Sequence, residues 1–172
     1  MRVCYTRILS SNQCYFTAGF DIRVNQSEME TDWNNRSLAY FMMSAFPKGT
    51  DLNKTISLYY QCCSMQATCE IMSVLAATLA NNGVCPLTKQ QVVSSETVRD
   101  VLTLMFTCGM YDSSGRFAFE VGLPAKSGVS GVIFMVVPGT GGIATYSPRV
   151  DKCSNSVRGA QLCKKYAEHT GN

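Results

Sequence analysis

The residues able to do chemistry are few, and their setting matters more than their number. Lys126 stands in Gly122-Leu123-Pro124-Ala125-Lys126-Ser127-Gly128-Val129-Ser130-Gly131, among small and apolar residues and just ahead of an apolar run. A lysine is seldom fully buried unless paired, so Lys126 either snorkels to the surface or acts in a cleft. Tyr111 comes two residues after Gly109, beyond the end of a helical run, where packing does not need an aromatic ring and loops carry function. The only histidine, His169, lies close to the carboxyl end. Imidazole-assisted catalysis needs a histidine inside the fold, and terminal residues fray. Acid-base work in this chain therefore falls to lysine, tyrosine or a carboxylate.

Composition limits the partners. With 172 residues, 46% hydrophobic and 16% charged, the chain has the make-up of one globular domain or a large piece of one. The net charge of +3 comes from scattered Lys and Arg, without the clustered basic face that nucleic acid requires. No apolar run is long enough for a membrane span. The nine cysteines are an odd number, with Cys62, Cys63 and Cys69 inside a helical pattern and Cys108 at a helix end, which reads as free buried thiols in a reducing compartment. No CxxC occurs and the one histidine is near the end, which disfavours a zinc site; no cofactor is expected. Arg2 and Arg7 without an acid before Asp21 give a faint transit-peptide character.

These residues need elements to position them. Residues 1–14 hold no placeable motif and read as a lead segment. Ser27 and Glu30 fit a capping box, which predicts a helix starting at Ser27, with Glu28 in its solvated first turn and Asn34 and Asn35 in a loop. Ile56, Tyr59, Tyr60 and Cys63 fall at helical spacing, with Tyr59 on the apolar face. Residues 67–80 form the strongest helical pattern, ended by Asn81-Asn82-Gly83. Ser94-Ser95-Glu96 opens another helix that Gly109 closes. Residues 116–121, 129–137 and 142–146 read as three short antiparallel strands, the middle one apolar enough to be covered on both faces. A last helix over residues 154–168 completes an α+β arrangement, an antiparallel sheet packed with helices.

Taken together the motifs resemble one family. Lys126-Ser127-Gly128 differs by one hydroxylated residue from the Lys-Thr-Gly element of serine beta-lactamases. Residues 79–88 (LANNGVCPLT), then Cys108-Gly109-Met110-Tyr111-Asp112 and the Lys126 stretch are similar in order and spacing to the serine-dependent glutaminases, and the cysteine-rich wording of residues 59–69 is similar to the animal branch. The resemblance implies a partial beta-lactamase-like fold over residues 15–172 and hydrolysis of L-glutamine to L-glutamate and ammonia. It implies that Glu28, in a QSE element, anchors the substrate's α-amino group and that Asn35 and Tyr59 contact the substrate. It makes Tyr111 the proton shuttle, a role that nearby positive charge assists. Val129 becomes the backbone oxyanion donor, and Lys126 supplies positive charge beside it. L-Glutamine is then the small-molecule partner, with a homo-oligomer or a full-length glutaminase as the protein partner and neither nucleic acid nor membrane. The animal relatives imply a mitochondrial compartment, with cytoplasm as the alternative.

The chain departs from that family in three places. The nucleophile of the family is the serine of Ser-x-x-Lys, and no serine here has a lysine three residues on, Ser27, Ser113, Ser127 and Ser130 included. The family's upstream asparagine element is missing too, so about half of a glutaminase domain is present. Val132 stands where the family commonly has a glycine, which predicts crowding beside the oxyanion donor. A half-domain also predicts an uncovered sheet edge, an open face on the helix of residues 67–80, and poor solubility.

Overall fold

The computed structural model describes residues 1–7 and 18–171. In chain order the elements are β1 (Arg2–Arg7), β2 (Gly19–Phe20), α1 (Ile22–Glu30), α2 (Trp33–Phe41), a 3-10 turn at Met43–Ala45, α3 (Leu52–Cys63) and β3 (Met65–Gln66). There follow α4 (Cys69–Ala80), α5 (Ser95–Cys108), a 3-10 turn at Tyr111–Ser113, α6 (Ser114–Val121), β4 (Ala125–Gly128), β5 (Val132–Val137), β6 (Gly141–Tyr146) and α7 (Val157–Thr170). They fall into two compact units, one of residues 18–67 and one of residues 1–7 with 68–171.

In the unit of residues 18–67, the β2–β3 ribbon pairs Gly19 with Gln66 and Phe20 with Met65, and α1, α2 and α3 lie between its strands in sequence. The first helix starts earlier than the Ser27 capping box predicts. Asp21 is the N-cap, its carboxylate accepting from Arg23 N (2.9 Å) and Val24 N (3.4 Å), and an ionised cap satisfies the orphan donors better than a hydroxyl does. Ser27 is thereby an interior residue whose carbonyl accepts from Thr31 N (3.1 Å). Asn34 and Asn35 are likewise not in a loop but in the first turn of α2. Leu52, Ile56 and Tyr60 form the inward stripe of α3 with Ala39, while Tyr60 is 1% exposed and Tyr59 53%. Tyr59 is therefore not on the buried face, because the stripe steps by four from Leu52 and passes through Tyr60.

The second unit is built on an antiparallel sheet of order β1-β6-β5-β4. Residues 116–121 were expected as a strand and form α6 instead. In the run Phe117-Ala118-Phe119-Glu120-Val121 a strand would put Phe117, Phe119 and Val121 on one face. The structure buries Phe117 and Val121, four apart, and leaves Phe119 92% exposed, which is helical spacing. Gly122, at φ +70°, ends α6 in the left-handed conformation. The remaining strand is β1, which pairs Arg2 with Tyr146 and Arg7 with Gly141, so residues 2–7 of the motif-less lead segment are part of the sheet. Its residues 8–14 lie outside the described residues.

β5 is covered on both faces, as its composition implies. Ile133, Met135 and Val137 pack with Phe117, Val121 and Cys163 of α6 and α7. Val136 and Phe134 pack with Ala76, Leu79, Val98 and Met105 of α4 and α5. α4 ends as predicted: Gly83, at φ +89°, donates its N–H to Thr78 O (2.9 Å). On its outer side Leu75 is exposed. Ser94 caps α5 through Thr97 N (3.1 Å). Ser94→Ala is therefore expected to lower the unfolding free energy by about 1 kcal/mol, read from the urea midpoint.

The eight described cysteines are free, and Cys62, Cys63 and Cys108 are exposed rather than buried, since they lie on the outer sides of their helices. Burial pushes the Cys163 thiol up to about 12. Burial, with Glu70 alongside, pushes Cys4 up to about 11, both from an ordinary 9.0. A thiol that ionises later folded than unfolded contributes stability that is whole below pH 9.0 and is lost as pH rises through 11 and 12. The melting temperature should fall across that alkaline range, and less steeply in Cys163→Ala; equal slopes would count against burial as the cause.

Candidate active site

The second unit places Tyr111, Lys126 and Val129 on adjoining backbone. α5 stops at Gly109, whose carbonyl accepts from Ser127 N of β4 (2.9 Å). A Cβ at position 109 would stand 1.9 Å from Ala125 O, so only glycine lets the helix end lie against the strand. The chain then swings through Tyr111 at φ +52°. For a tyrosine this left-handed conformation is strained, on the order of 1–3 kcal/mol, and it persists only where the surroundings enforce it.

Several hydrogen bonds enforce it. Met110 N donates to Ser114 Oγ (2.9 Å), and Ser114 Oγ donates to Tyr111 O (2.7 Å). Ser113 Oγ donates to Met110 O (2.8 Å). Asn155 Nδ2, from the turn before α7, donates to Met110 O (3.1 Å) and to Ser113 Oγ (2.8 Å). The ring so held has the Lys126 ammonium 4.8 Å from its centroid, within cation–π range. Lys126 also donates to Ser127 O. The strand explains the orientation: Ala125 and Ser127 are buried, while Lys126 and Gly128 are half-buried on the alternate face. Lys126 is thus half-buried, with its ammonium over the Tyr111 ring.

Val129 follows β4 in a tight turn, not in the strand over residues 129–137 that its apolar run suggests. Gly131, at φ +95°, donates to Gly128 O (2.9 Å), and β5 starts only at Val132. Val129 is 70% exposed, as a turn residue contributing backbone rather than side chain would be. The crowding expected from Val132 is absent because Gly128 faces it. A Cβ at 128 would lie 2.7 Å from Val132 Cγ1, so the glycine opposite supplies the room.

In the unit of residues 18–67, Glu28 lies on α1, Asn35 on α2 and Tyr59 on α3. Tyr59 leans on the Tyr60 ring, centroids 5.6 Å apart at 58°. Burial raises the Tyr60 hydroxyl above its usual range and the Asp32 charge adds to this, while the Asn35 amide and Arg36 oppose it. Glu28 adds a weaker field of the same sign as Asp32. Glu28 itself is half-buried in a hollow of about 390 Å³ with Asp21, Arg23, Val24 and Ser27. Arg36 pairs with Asp32 (2.7 Å) and donates to Asn53 Oδ1 (2.8 Å), which pins α2 to α3.

The candidate serines behave differently from a nucleophile. Ser113 Oγ is committed to Met110 O and Asn155. Ser127 Oγ is buried and without a partner among the described residues. Ser27 lies within α1 and Ser130 in the turn after β4. Asn155, Ser114 and Tyr60 support the site without being singled out by sequence. For Tyr60 the signal is the four-residue stepping from Leu52; for Asn155 no local signal exists.

An antiparallel sheet backed by helices, with a lysine on the strand that leads into a tight turn, is the arrangement of the beta-lactamase-like class. The Glutaminase family model matches residues 4–172, and the chain belongs to the glutaminase family. It is 52% identical over 149 residues to the mouse liver-isoform glutaminase, mitochondrial, covering 86% of this chain and 25% of that protein. It is 44% identical over 151 residues to a glutaminase of Trichormus variabilis, covering 88% and 45%. Among solved structures, the Bacillus subtilis glutaminase in covalent complex with 5-oxo-L-norleucine superposes with a TM-score of 0.82 at 35% identity, covering 90% of this chain and 55% of that one. The chain thus spans a quarter to about half the length of these relatives.

Proposed function

We propose that residues 15–172 are the carboxyl-terminal half of a glutaminase catalytic domain, serving the hydrolysis of L-glutamine to L-glutamate and ammonia, with the Ser-x-x-Lys nucleophile supplied by chain not present here. The observation that carries this reading is the strained Tyr111, its ring held 4.8 Å from the Lys126 ammonium beside the Val129 turn. Amide hydrolysis requires an activated hydroxyl, a proton carrier and donors for the oxyanion. Tyr111 takes the nucleophile's proton and returns it to the leaving amine, and the Lys126 charge favours the anionic form that accepts it. The Val129 N–H receives the developing oxyanion. Glu28 binds the α-amino group as an ion pair, and Asn35 and Tyr59 contact the rest of the substrate. The mouse relative's name supports a mitochondrial compartment for this reaction, with the cytoplasm as the alternative.

Calorimetric titration with L-glutamine tests this. The purified chain is expected to bind L-glutamine saturably, and Glu28→Gln to weaken binding by about tenfold or more, the loss of a charge-assisted contact. Equal affinity in the two chains, or equal affinity for the D-enantiomer, would remove Glu28 as the anchor.

A second reading has an observation of its own. Trp33, Tyr40 and Phe41 of α2 are exposed together on one short helix, and apolar surface of this kind marks association. In this reading the chain is a catalytically silent subunit that docks on an intact glutaminase and modulates it. Co-purification with full-length glutaminase favours it, and a soluble monomer indifferent to that protein argues against it.

A further inference from the structure

Asn155 is almost fully inaccessible, at 1% exposure, and carries no charge. Its Nδ2 reaches residues 45 and 42 positions earlier, donating to Met110 O and Ser113 Oγ, which flank Tyr111. Its Oδ1 has no partner among the described residues. Buried amides are normally satisfied at both ends; apart from a long bond to Cys153 O in its own turn (3.5 Å), what this one does is donate to the Tyr111 turn. The aim of the side chain is itself fixed. Asp151 Oδ1 accepts from Cys153 N (2.8 Å) and Asn155 N (3.0 Å), and Ser154 between them takes φ +65°.

The structure assigns Asn155 as a positioning residue: its amide donor holds the turn of Tyr111 in the left-handed form and so keeps the ring under the Lys126 ammonium. Without the donor, the Met110 carbonyl and Ser113 hydroxyl lose their tie to the turn before α7, and Tyr111 relaxes to the ordinary φ range. The ring then leaves Lys126. This rests on the reading of Tyr111 and Lys126 as the working pair, yet it can be measured without turnover.

The experiment is trace acylation of lysines and alkylation of thiols on the purified chain, quantified peptide by peptide by mass spectrometry. Tyr111→Leu, which removes the ring, sets the rate of an uncovered Lys126. Asn155→Ala and Asn155→Asp, the latter similar in size but with no N–H to donate, are expected to raise Lys126 acylation several-fold toward that rate. Cys163, buried on α7, should stay unreactive in both, which separates release of the turn from unfolding. Wild-type labelling of Lys126 in Asn155→Asp would mean that shape alone holds the turn and overturns the proposal. So would Cys163 becoming reactive in step with Lys126 in Asn155→Ala. Ser113→Ala removes one of the two acceptors at the Tyr111 turn without touching the turn before α7; an intermediate rise supports the assignment and a wild-type rate overturns it. Failure of the glutamine reading would appear in the Glu28→Gln titration and leave these rates as they are.

Discussion

Gly142→Val is expected to destabilise the sheet unit by about 4 kcal/mol or more and to abolish its cooperative urea transition. Gly142 lies in β6 opposite Val136 of β5 and Thr6 of β1, with α4 directly over it. A Cβ there would meet Ala77 N at 2.3 Å, Ser73 O at 2.5 Å and Ala76 Cβ at 2.5 Å. Two of those atoms are helix backbone, so no rotamer change relieves the overlap and α4 would have to lift from the sheet. The small residues of α4 that face inward, Ser73, Ala76, Ala77 and Ala80, are all buried, which is what brings the helix so close. Gly115 is the matched control. It sits in the first turn of α6 with nothing within 4 Å of its would-be Cβ, so Gly115→Ala should be neutral or stabilise by up to about 1 kcal/mol. A Gly142→Val chain unfolding within 1 kcal/mol of wild type would show that α4 is not seated as described.

The elements that sequence made legible are those whose local chemistry faces no competitor. The α4 end at Asn81-Asn82-Gly83, the Ser94 cap and the doubly covered β5 need only their own residues. Sequence and structure differ where two patterns coexist. Phe117-Ala118-Phe119-Glu120-Val121 alternates like a strand, and only the solvation of Phe119 reveals a helix. Ser27 and Glu30 fit a capping box, but Asp21 offers a charged cap earlier. Tyr59 and Tyr60 are adjacent, and which one is buried depends on the phase set by Leu52 and Ile56. β1 had no signal, because an edge strand of mixed polarity gains its structure from pairing with β6.

The site divides in the same way. Tyr111, Lys126 and Val129 stand out in sequence because motif types persist, whereas the reason Tyr111 can hold φ +52° lies in Asn155, brought over by the fold. Its contribution depends on a turn set by Asp151 and Ser154, and no periodicity points to such an arrangement. Strain at Tyr111 could not be read either, since the residue type alone predicts an ordinary backbone.

Purified, this chain is expected to release ammonia from L-glutamine at a rate on the order of 10⁶-fold below an intact family enzyme, as enzymes do when the nucleophile is removed. The hydroxyls in the sheet unit cannot take its place: Ser113 Oγ is engaged in holding the Tyr111 turn, Ser127 Oγ points into the core, and Ser130 has Ile133, not lysine, three residues on. On the proposed reading, what remains is a proton carrier, a positive charge and an oxyanion donor with no oxyanion to receive. Groups that act as a unit are not additive, so the residual rate should respond little to further loss. Tyr111→Phe in this chain is therefore expected to change residual ammonia release by less than about tenfold, although in an enzyme with its nucleophile the proton carrier contributes about 10²–10⁴. Turnover at family rates that Tyr111→Phe abolishes would reverse this, because it would require a serine of this chain to be the nucleophile and Tyr111 to be its base.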